Sequence, residues 1–279
     1  MVRKSYLTIW LKGEMMKKLL FSLIAFLTIA VSLSAQSNNL LVIAYENNQP
    51  LYAPTSKGLW GGNAKFFSAS HSYFVDAQIG IAMRRLMEGT EKFQKNKLVL
   101  QAEYNYWGPF IAQVSHRSVA EFYEIAAWSD INAPLITENW RNEKLKFGLG
   151  AKLGDYRKSF ISLAANIGHG WYANRTHLTF LNLNIHRDKF QSTIIGTHLR
   201  LRFKPQLQIA KLKLPIWLDL ENEYNYWSKS KWHSARTSFS LGIQIFKRFG
   251  LEVGTEIVKQ AEDRHLKMID HHLGLAIIF

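Results

Sequence analysis

The sequence predicts an all-β protein: a transmembrane, antiparallel, up-and-down β-barrel of about 12 strands. Apolar residues recur at every second position through most of the chain, and many alternating segments are ten residues or longer. The last residues also alternate, up to a terminal aromatic, Phe279. A period of two belongs to strands whose two faces differ. A tilted strand needs about 9–11 residues to cross a bilayer, whereas globular strands commonly have about 5–6.

The amino-terminal segment predicts export. "MMKKLLFSLIAFLTIAVSLSAQ" begins at Met15 with two lysines, continues with an apolar stretch at 19–33, and ends in small residues. This is the layout of a secretory signal peptide. We interpret 1–35 as an upstream extension plus signal peptide, and 36–279 as a single barrel domain. The chain has no cysteine, which excludes disulfides, thiolate metal sites and a cysteine nucleophile.

The clearest strand is 234–245, "SARTSFSLGIQI", where one face is mostly apolar and the other contains no large apolar residue. The same pattern, in order along the chain, marks 73–84, 145–153, 181–186, 193–203 and 251–257, with weaker examples at 40–46 and 161–168. Turn signals separate the strands at 154–158, 186–190 and 247–250. Segments 47–70 and 118–142 do not alternate cleanly. We expect them to be irregular: long loops, an inserted short helix or a plug.

Alternation alone leaves a β-sandwich, a lipocalin-like barrel and a transmembrane barrel open. The carboxyl end, "MIDHHLGLAIIF", favours the last, because Leu273, Leu275 and Ile277 share a face with Phe279. This end resembles the carboxyl-terminal strand signal of bacterial outer-membrane β-barrels. The resemblance implies location in the cell outer membrane, with outer-membrane lipid and lipopolysaccharide as partners. It also implies that Phe279 is an assembly signal for the barrel assembly machinery.

Charged residues on the second face predict a polar lumen. The predicted lumen-lining set is Arg200, Arg202, Asp219, Glu221, Glu223 and Asn225. Opposed charges either fill and rigidify a small barrel or line a path for a polar solute. The size is similar to that of nucleoside-specific channels, although no motif is shared. We expect a porin-like channel or binding protein for a small polar solute, or a structural role, rather than an enzyme.

An alternative function depends on "HRS" at 116–118. Outer-membrane phospholipases and lipid A deacylases use a His-x-Ser pair on a lipid-facing strand, and His116 and Ser118 resemble that pair. The resemblance implies a lipid-modifying hydrolase, although Val119 stands where those families usually have Asn. A third member would come from Glu121, Glu124 or a distant residue, and strand direction places His116 toward the periplasm. The other interpretation is a polar strand end entering a loop.

The pentapeptide "EYNYW" occurs twice, at 103–107 and 223–227. We expect both copies at the outer membrane boundary, where amphipathic rings sit between hydrocarbon and headgroups. The predicted girdle residues are Tyr104, Tyr106, Trp107, Tyr224, Tyr226 and Trp227. A duplicated ligand site is the alternative.

The charge balance does not indicate a nucleic-acid partner. The net charge is +14; residues 1–35 hold five of the 35 bases and one of the 21 acids, which leaves +10. These bases are scattered singly through alternating segments, with no run or motif of nucleic-acid binding. The ten histidines lack metal-ligand spacing, and no nucleotide fingerprint is present. We therefore expect no metal and no cofactor.

Overall fold

A computed structural model describes residues 38–50, 59–85, 91–126, 134–178, 183–209, 212–260 and 268–279. The expected extension and signal peptide, 1–35, lie outside these residues. The strands are β1 (Asn38–Pro50), β2 (Leu59–Ala69), β3 (Tyr73–Arg85), β4 (Glu91–Trp107), β5 (Phe110–Ala126), β6 (Pro134–Gly154), β7 (Phe160–Leu178), β8 (Leu183–Phe203), β9 (Gln206–Ile209), β10 (Leu212–Trp227), β11 (Trp232–Phe246), β12 (Phe249–Gln260) and β13 (Met268–Ile278). Within the described ranges, no helix is long and apolar enough to span a membrane.

The strands close into one antiparallel barrel. Consecutive strands pair along the chain, except that β8 pairs with β10 and not with β9. β1 pairs with β13, which leaves no open edge around the ring. Short β9 follows β8 beyond Pro205, which has no N–H to donate, and pairs only with Leu212–Pro215 of β10. β9 is therefore a spur, and twelve strands form the wall. The predicted fold class, an all-β antiparallel barrel of about 12 strands, is confirmed.

The two ends of the barrel differ in their connections. The terminal end, as we name it, holds both described termini, with Asn39 and Phe279 hydrogen-bonded through their backbones at 3.1 Å. Its tight turns are 70–72, 108–109, 155–159 and 247–248. At the opposite loop end, strands are joined by 51–58, 86–90, 127–133, 179–182, 228–231 and 261–267, most of which lie outside the described residues.

Two irregular segments expected from the sequence are largely strand. Residues 59–69 form β2, residues 118–126 complete β5, and 134–142 begin β6. The expectation of loops, a helix or a plug is wrong for these parts, while 51–58 and 127–133 lie outside the described residues. Toward the loop end, backbone pairing between β5 and β6 continues beyond the apolar zone. Because neither face there has to be apolar, the alternation fades although the hydrogen bonds persist.

The two faces of the wall have the polarity of a membrane protein. The outer face exposes large apolar side chains, for example Leu149 at 67%. The inner face buries charges, among them Lys146, Arg202, Glu223 and Glu252. A soluble protein would need charged residues outside and apolar residues inside, because burying charge costs free energy and exposed apolar surface promotes aggregation. The structure therefore selects the transmembrane barrel from the three folds that alternation allowed.

Candidate functional site

Charged residues of β8 and β10 face each other inside the barrel. In register, Arg202 lies opposite Asp219, Arg200 opposite Glu221, and His198 opposite Glu223. Arg202 forms a two-point contact with Asp219, and His198 Nε2 lies 2.7 Å from Glu221 Oε1. The remaining guanidinium reaches across the lumen instead, where Arg200 Nη2 lies 2.8 Å from Asp76 Oδ2 of β3. All six residues of the predicted lumen set lie on this inner face.

Arg236 of β11 is the centre of the interior network. Its guanidinium contacts Glu221, Glu223 at 3.2 Å and Glu256 at 3.3 Å. Lys146 Nζ contacts the same Glu223 at 2.6 Å and also Asn225 Oδ1 at 3.1 Å. Further bases, Lys97 and Arg117, contact Glu256 at 2.9 and 2.6 Å. These contacts tie strands on opposite sides of the barrel together, so the interior is a cross-linked polar core.

Apolar side chains close the interior at the terminal end. One cluster joins Phe67, Phe74, Tyr156 and Phe160. Tyr156 comes from the 155–159 turn, is fully buried, and donates a hydrogen bond to Glu103 Oε1 at 2.6 Å. A second cluster surrounds Trp217 with Val42 and Ala276. Tyr156 was not predicted from the sequence, although an aromatic residue within a polar turn was an available signal.

A cavity of about 70 Å³ lies between this closure and the middle of the barrel. Its walls carry both signs of charge, including Lys65, Asp76, Arg200, Asp219 and Glu221. At roughly 10–15 Å³ per water position, this volume has room for about five water molecules. The described part of the interior is thus an ion-paired core around a small charged cavity.

A second cluster lies on the outer face, where β5 meets β6. Inner positions of β5 include Ile111 and Gln113, so His116 and Ser118 point outward. Ser118 pairs in register with Glu143 of β6, and His116 Nε2 lies 3.9 Å from Glu143 Oε1. The imidazole and the carboxylate are each 27% exposed. The structure therefore brings the predicted His–Ser pair beside a distant acid that the sequence did not specify.

Arg141 completes the outer-face cluster, because its Nη2 donates to Glu143 Oε2 at 2.8 Å. On β6, ten residues separate Glu143 from Leu153 at the terminal end, and Leu145, Phe147 and Leu149 lie between them on the same face. Ten residues span about 33 Å along a strand, or about 25 Å across the membrane at a tilt of about 40°. The cluster therefore lies at the loop-end edge of the apolar band. The expectation that His116 lies toward the periplasmic side is wrong, because β5 starts at the terminal end and runs toward the loops.

The two pentapeptides lie at opposite ends of the barrel, which corrects the expectation of one shared boundary. β4 and β10 run in opposite directions, so Tyr104, Tyr106 and Trp107 lie at the terminal end, and Trp107 is 73% exposed. The second copy ends at the loop end, with Tyr224 and Tyr226 pointing outward. The two copies therefore sit near two separate rims of the apolar band.

Trp227 does not join an outer girdle. It is completely buried inside the barrel, packed with Tyr172 and Ile194. Its ring also stands edge-on to Phe190, with centroids 6.1 Å apart. The first copy avoids this placement because the register shifts between Asn105 and Trp107, which turns Trp107 outward. A bulge that the pentapeptide sequence does not reveal thus separates the two tryptophans.

Comparison with known proteins identifies no family. No family model matches, and no curated protein matches. Among solved structures, the translocator domain of the autotransporter NalP from Neisseria meningitidis has 9% identity and a TM-score of 0.48, covering 95% of this chain and 97% of that one. The β domain of the Bordetella autotransporter BrkA has 14% identity and a TM-score of 0.44, covering 88% and 100%. An outer-membrane channel from Pseudomonas putida F1 has 13% identity and a TM-score of 0.40, covering 88% and 96%.

Those similarities are too distant to indicate an activity. The protein class is therefore assigned from this chain's own barrel, outer face and interior. A closed antiparallel barrel with an apolar outer band and a charged interior is the architecture of outer-membrane proteins. This chain is an outer-membrane β-barrel. Among the residues that the structure describes, no group of three or more His, Asp or Glu side chains could hold a metal ion.

Proposed function

We propose that this outer-membrane barrel hydrolyses ester-linked membrane lipids on its outer face. The observation that carries the proposal is Glu143, which stands opposite Ser118 and beside His116 at the edge of the apolar band. Serine, histidine and an acid are the groups needed for acyl transfer, wherever in a fold they converge. The preference for a solute channel weakens, because the described lumen is cross-linked by ion pairs and closed at the terminal end.

Each residue has a distinct role. His116 accepts the Ser118 hydroxyl proton as the oxygen attacks the ester carbonyl, and returns a proton to the departing alcohol. Water then cleaves the acyl-serine and releases a fatty acid. Glu143 orients the imidazole and stabilises its positive form, and Arg141 holds that carboxylate in place. We expect the 3.9 Å distance between His116 Nε2 and Glu143 Oε1 to shorten when substrate binds, as catalytic contacts often do.

The position of the cluster indicates which leaflet it acts on. Outer-membrane barrels have short periplasmic turns and longer external loops. The terminal end has the tight turns, so we place it in the periplasm and the loop end outside. The cluster then lies level with the headgroups of the outer leaflet, where the ester bonds of lipopolysaccharide and phospholipid are found.

The test is lipid hydrolysis by purified protein in mixed micelles, with released fatty acids measured by mass spectrometry. We expect wild type to release fatty acid, and Ser118→Ala and His116→Ala to lose at least about 100-fold of the rate. Thr197→Ala is the matched control, because it removes an outward-facing hydroxyl on β8, away from the cluster. Equal rates for Ser118→Ala and Thr197→Ala would eliminate the hydrolase.

A small polar solute remains a second candidate, favoured by the charged cavity. Buried nitrogens of Arg200, Nε and Nη1, have no hydrogen-bond partner within the described structure. Such groups indicate bound water or a ligand. This candidate predicts conductance in planar bilayers that changes with Arg200→Ala and Glu221→Ala. Absence of conductance, together with hydrolysis that depends on Ser118, would remove it.

A further inference from the structure

We infer that the 228–231 turn and its flanking strands form a binding site for the phosphates of an outer-leaflet lipid. This turn, "SKSK", joins β10 to β11 at the loop end, directly after Tyr224 and Tyr226. Lys229 and Lys231 are both exposed. The inference goes beyond hydrolysis: it requires the barrel to be in the outer membrane but does not require Ser118 to be catalytic.

The turn is held in one conformation. The backbone N–H of Ser228 donates to Thr193 O at 3.0 Å, and that of Lys229 donates to Ser192 Oγ at 3.0 Å. Lys231 has a φ of 56°, in the left-handed region that a lysine rarely adopts. Such backbone persists only when its surroundings impose it. The backbone that carries the two lysines is therefore fixed relative to β8.

Neighbouring strands add charge of the same sign. Lys189 of β8 and Lys259 of β12 are exposed, and Lys259 lies beside Ala235 of β11 in register. On residues 189–203, 214–226 and 232–259, no described outward-facing residue is acidic. Among these described residues, the positive patch thus faces no outward-pointing counter-charge. Partners with clustered negative charge are the chemistry that fits.

The patch continues directly into apolar surface. Below the turn, the Tyr224 hydroxyl and His233 Nδ1 share a hydrogen bond. The Tyr226 ring centroid lies 5.1 Å from that of the same imidazole. Farther toward the terminal end, Phe239 and Leu241 are exposed on β11. Acyl chains along this band would place their headgroups at the turn. A phosphorylated lipid would contact both the lysines and the apolar surface, whereas free phosphate would contact only the lysines.

The experiment measures binding of lipopolysaccharide to protein in phosphatidylcholine vesicles, through the shift in urea midpoint as lipopolysaccharide is added. Near an anionic surface each lysine contributes about 1 kcal/mol, or about fivefold in affinity. Lys229→Ala with Lys231→Ala should therefore weaken binding about 25-fold. The matched control is Lys158→Ala with Lys247→Ala, two exposed lysines at the terminal end, which should change binding less than twofold. Heat-dependent gel migration confirms that each variant is folded.

Three further arms separate the sources of phosphate. Enzymatically dephosphorylated lipopolysaccharide should bind the wild type as weakly as intact lipopolysaccharide binds the turn variant. Inorganic phosphate at millimolar concentration should not shift the midpoint. Phosphatidylglycerol should bind more weakly than lipopolysaccharide, because it has one phosphate per molecule. The inference is overturned if dephosphorylation has no effect, if inorganic phosphate reproduces the shift, or if both double variants weaken binding equally.

Discussion

The interior network predicts that Arg236 is the most sensitive single charge in the barrel. Arg236→Met keeps the apolar stem but removes the guanidinium from Glu221, Glu223 and Glu256. Breaking a buried ion pair by removing one partner costs about 3–5 kcal/mol, because the other charge stays buried. Two of the carboxylates keep other cations nearby, but Glu221 retains only its contact with His198 among those described. We expect a loss of about 3 kcal/mol.

The assay is urea unfolding of the vesicle-inserted barrel, followed by tryptophan fluorescence. Arg157→Met is the matched control, because Arg157 pairs with Asp155 in the 155–159 turn while remaining 40% exposed. An exposed ion pair contributes little to stability because water screens it, so this variant should unfold close to wild type. Adding Glu221→Gln to Arg236→Met should recover part of the loss. If Arg236→Met stays within about 1 kcal/mol of wild type, the interior is not the ion-paired core described above.

The other predictions concern the turns and the closed end. Tyr156→Phe removes a donor from buried Glu103 and should cost about 1–3 kcal/mol in the same urea titration, which an unchanged midpoint would contradict. Gly242→Ala should destabilise by about 1–3 kcal/mol, because a Cβ there would lie 1.8 Å from the Trp217 ring; tolerance would mean that this ring is free to move. Burial lowers the pKa of Lys204 from 10.5 to about 8, so the unfolded state holds the extra proton and stability should rise from pH 8 to pH 10.5. We expect that rise in stability to be about 1–2 kcal/mol, because the Lys204 side chain is partly exposed. Lys204→Met should flatten it. An identical rise in the variant would show that Lys204 is not its source.

The barrel wall was predictable because lipid imposes a strict rule on the outer face. Segments such as 145–153 and 234–245 alternate within the apolar band, where a slip of one residue would put charge into lipid. Outside the band that constraint ends, which is why 134–142 does not alternate although it is paired strand. Residues 59–69 cross the wall between β1 and β3, but their outward positions include the small residues Gly62 and Ala64, so the alternation is weak there. Strand type was thus visible only where membrane and lumen imposed different chemistry on the two faces.

The candidate site was only half predictable. Spacing alone places His116 and Ser118 on one face, but Glu143 depends on the register between β5 and β6, which the sequence does not show. The direction of each strand depends on the exact number of crossings, which the sequence does not show, so the first pentapeptide was predicted at the wrong end. The inward position of Trp227 continues the alternation of Glu223 and Asn225, whereas the outward position of Trp107 depends on a register shift that the sequence does not show. The register between strands is set by how the whole barrel closes, and local sequence patterns do not predict it.

Covalent labelling by a fluorophosphonate tests the central claim most directly, because this probe reacts with activated serine hydroxyls and not with ordinary ones. Folded protein in detergent micelles should be labelled, and peptide mass spectrometry should place the label on Ser118. His116→Ala should lose most of the labelling rate, since the imidazole activates the hydroxyl, while Thr197→Ala should retain it. No label on Ser118 in folded wild-type protein, or equal labelling in His116→Ala, would contradict an outer-face catalytic serine.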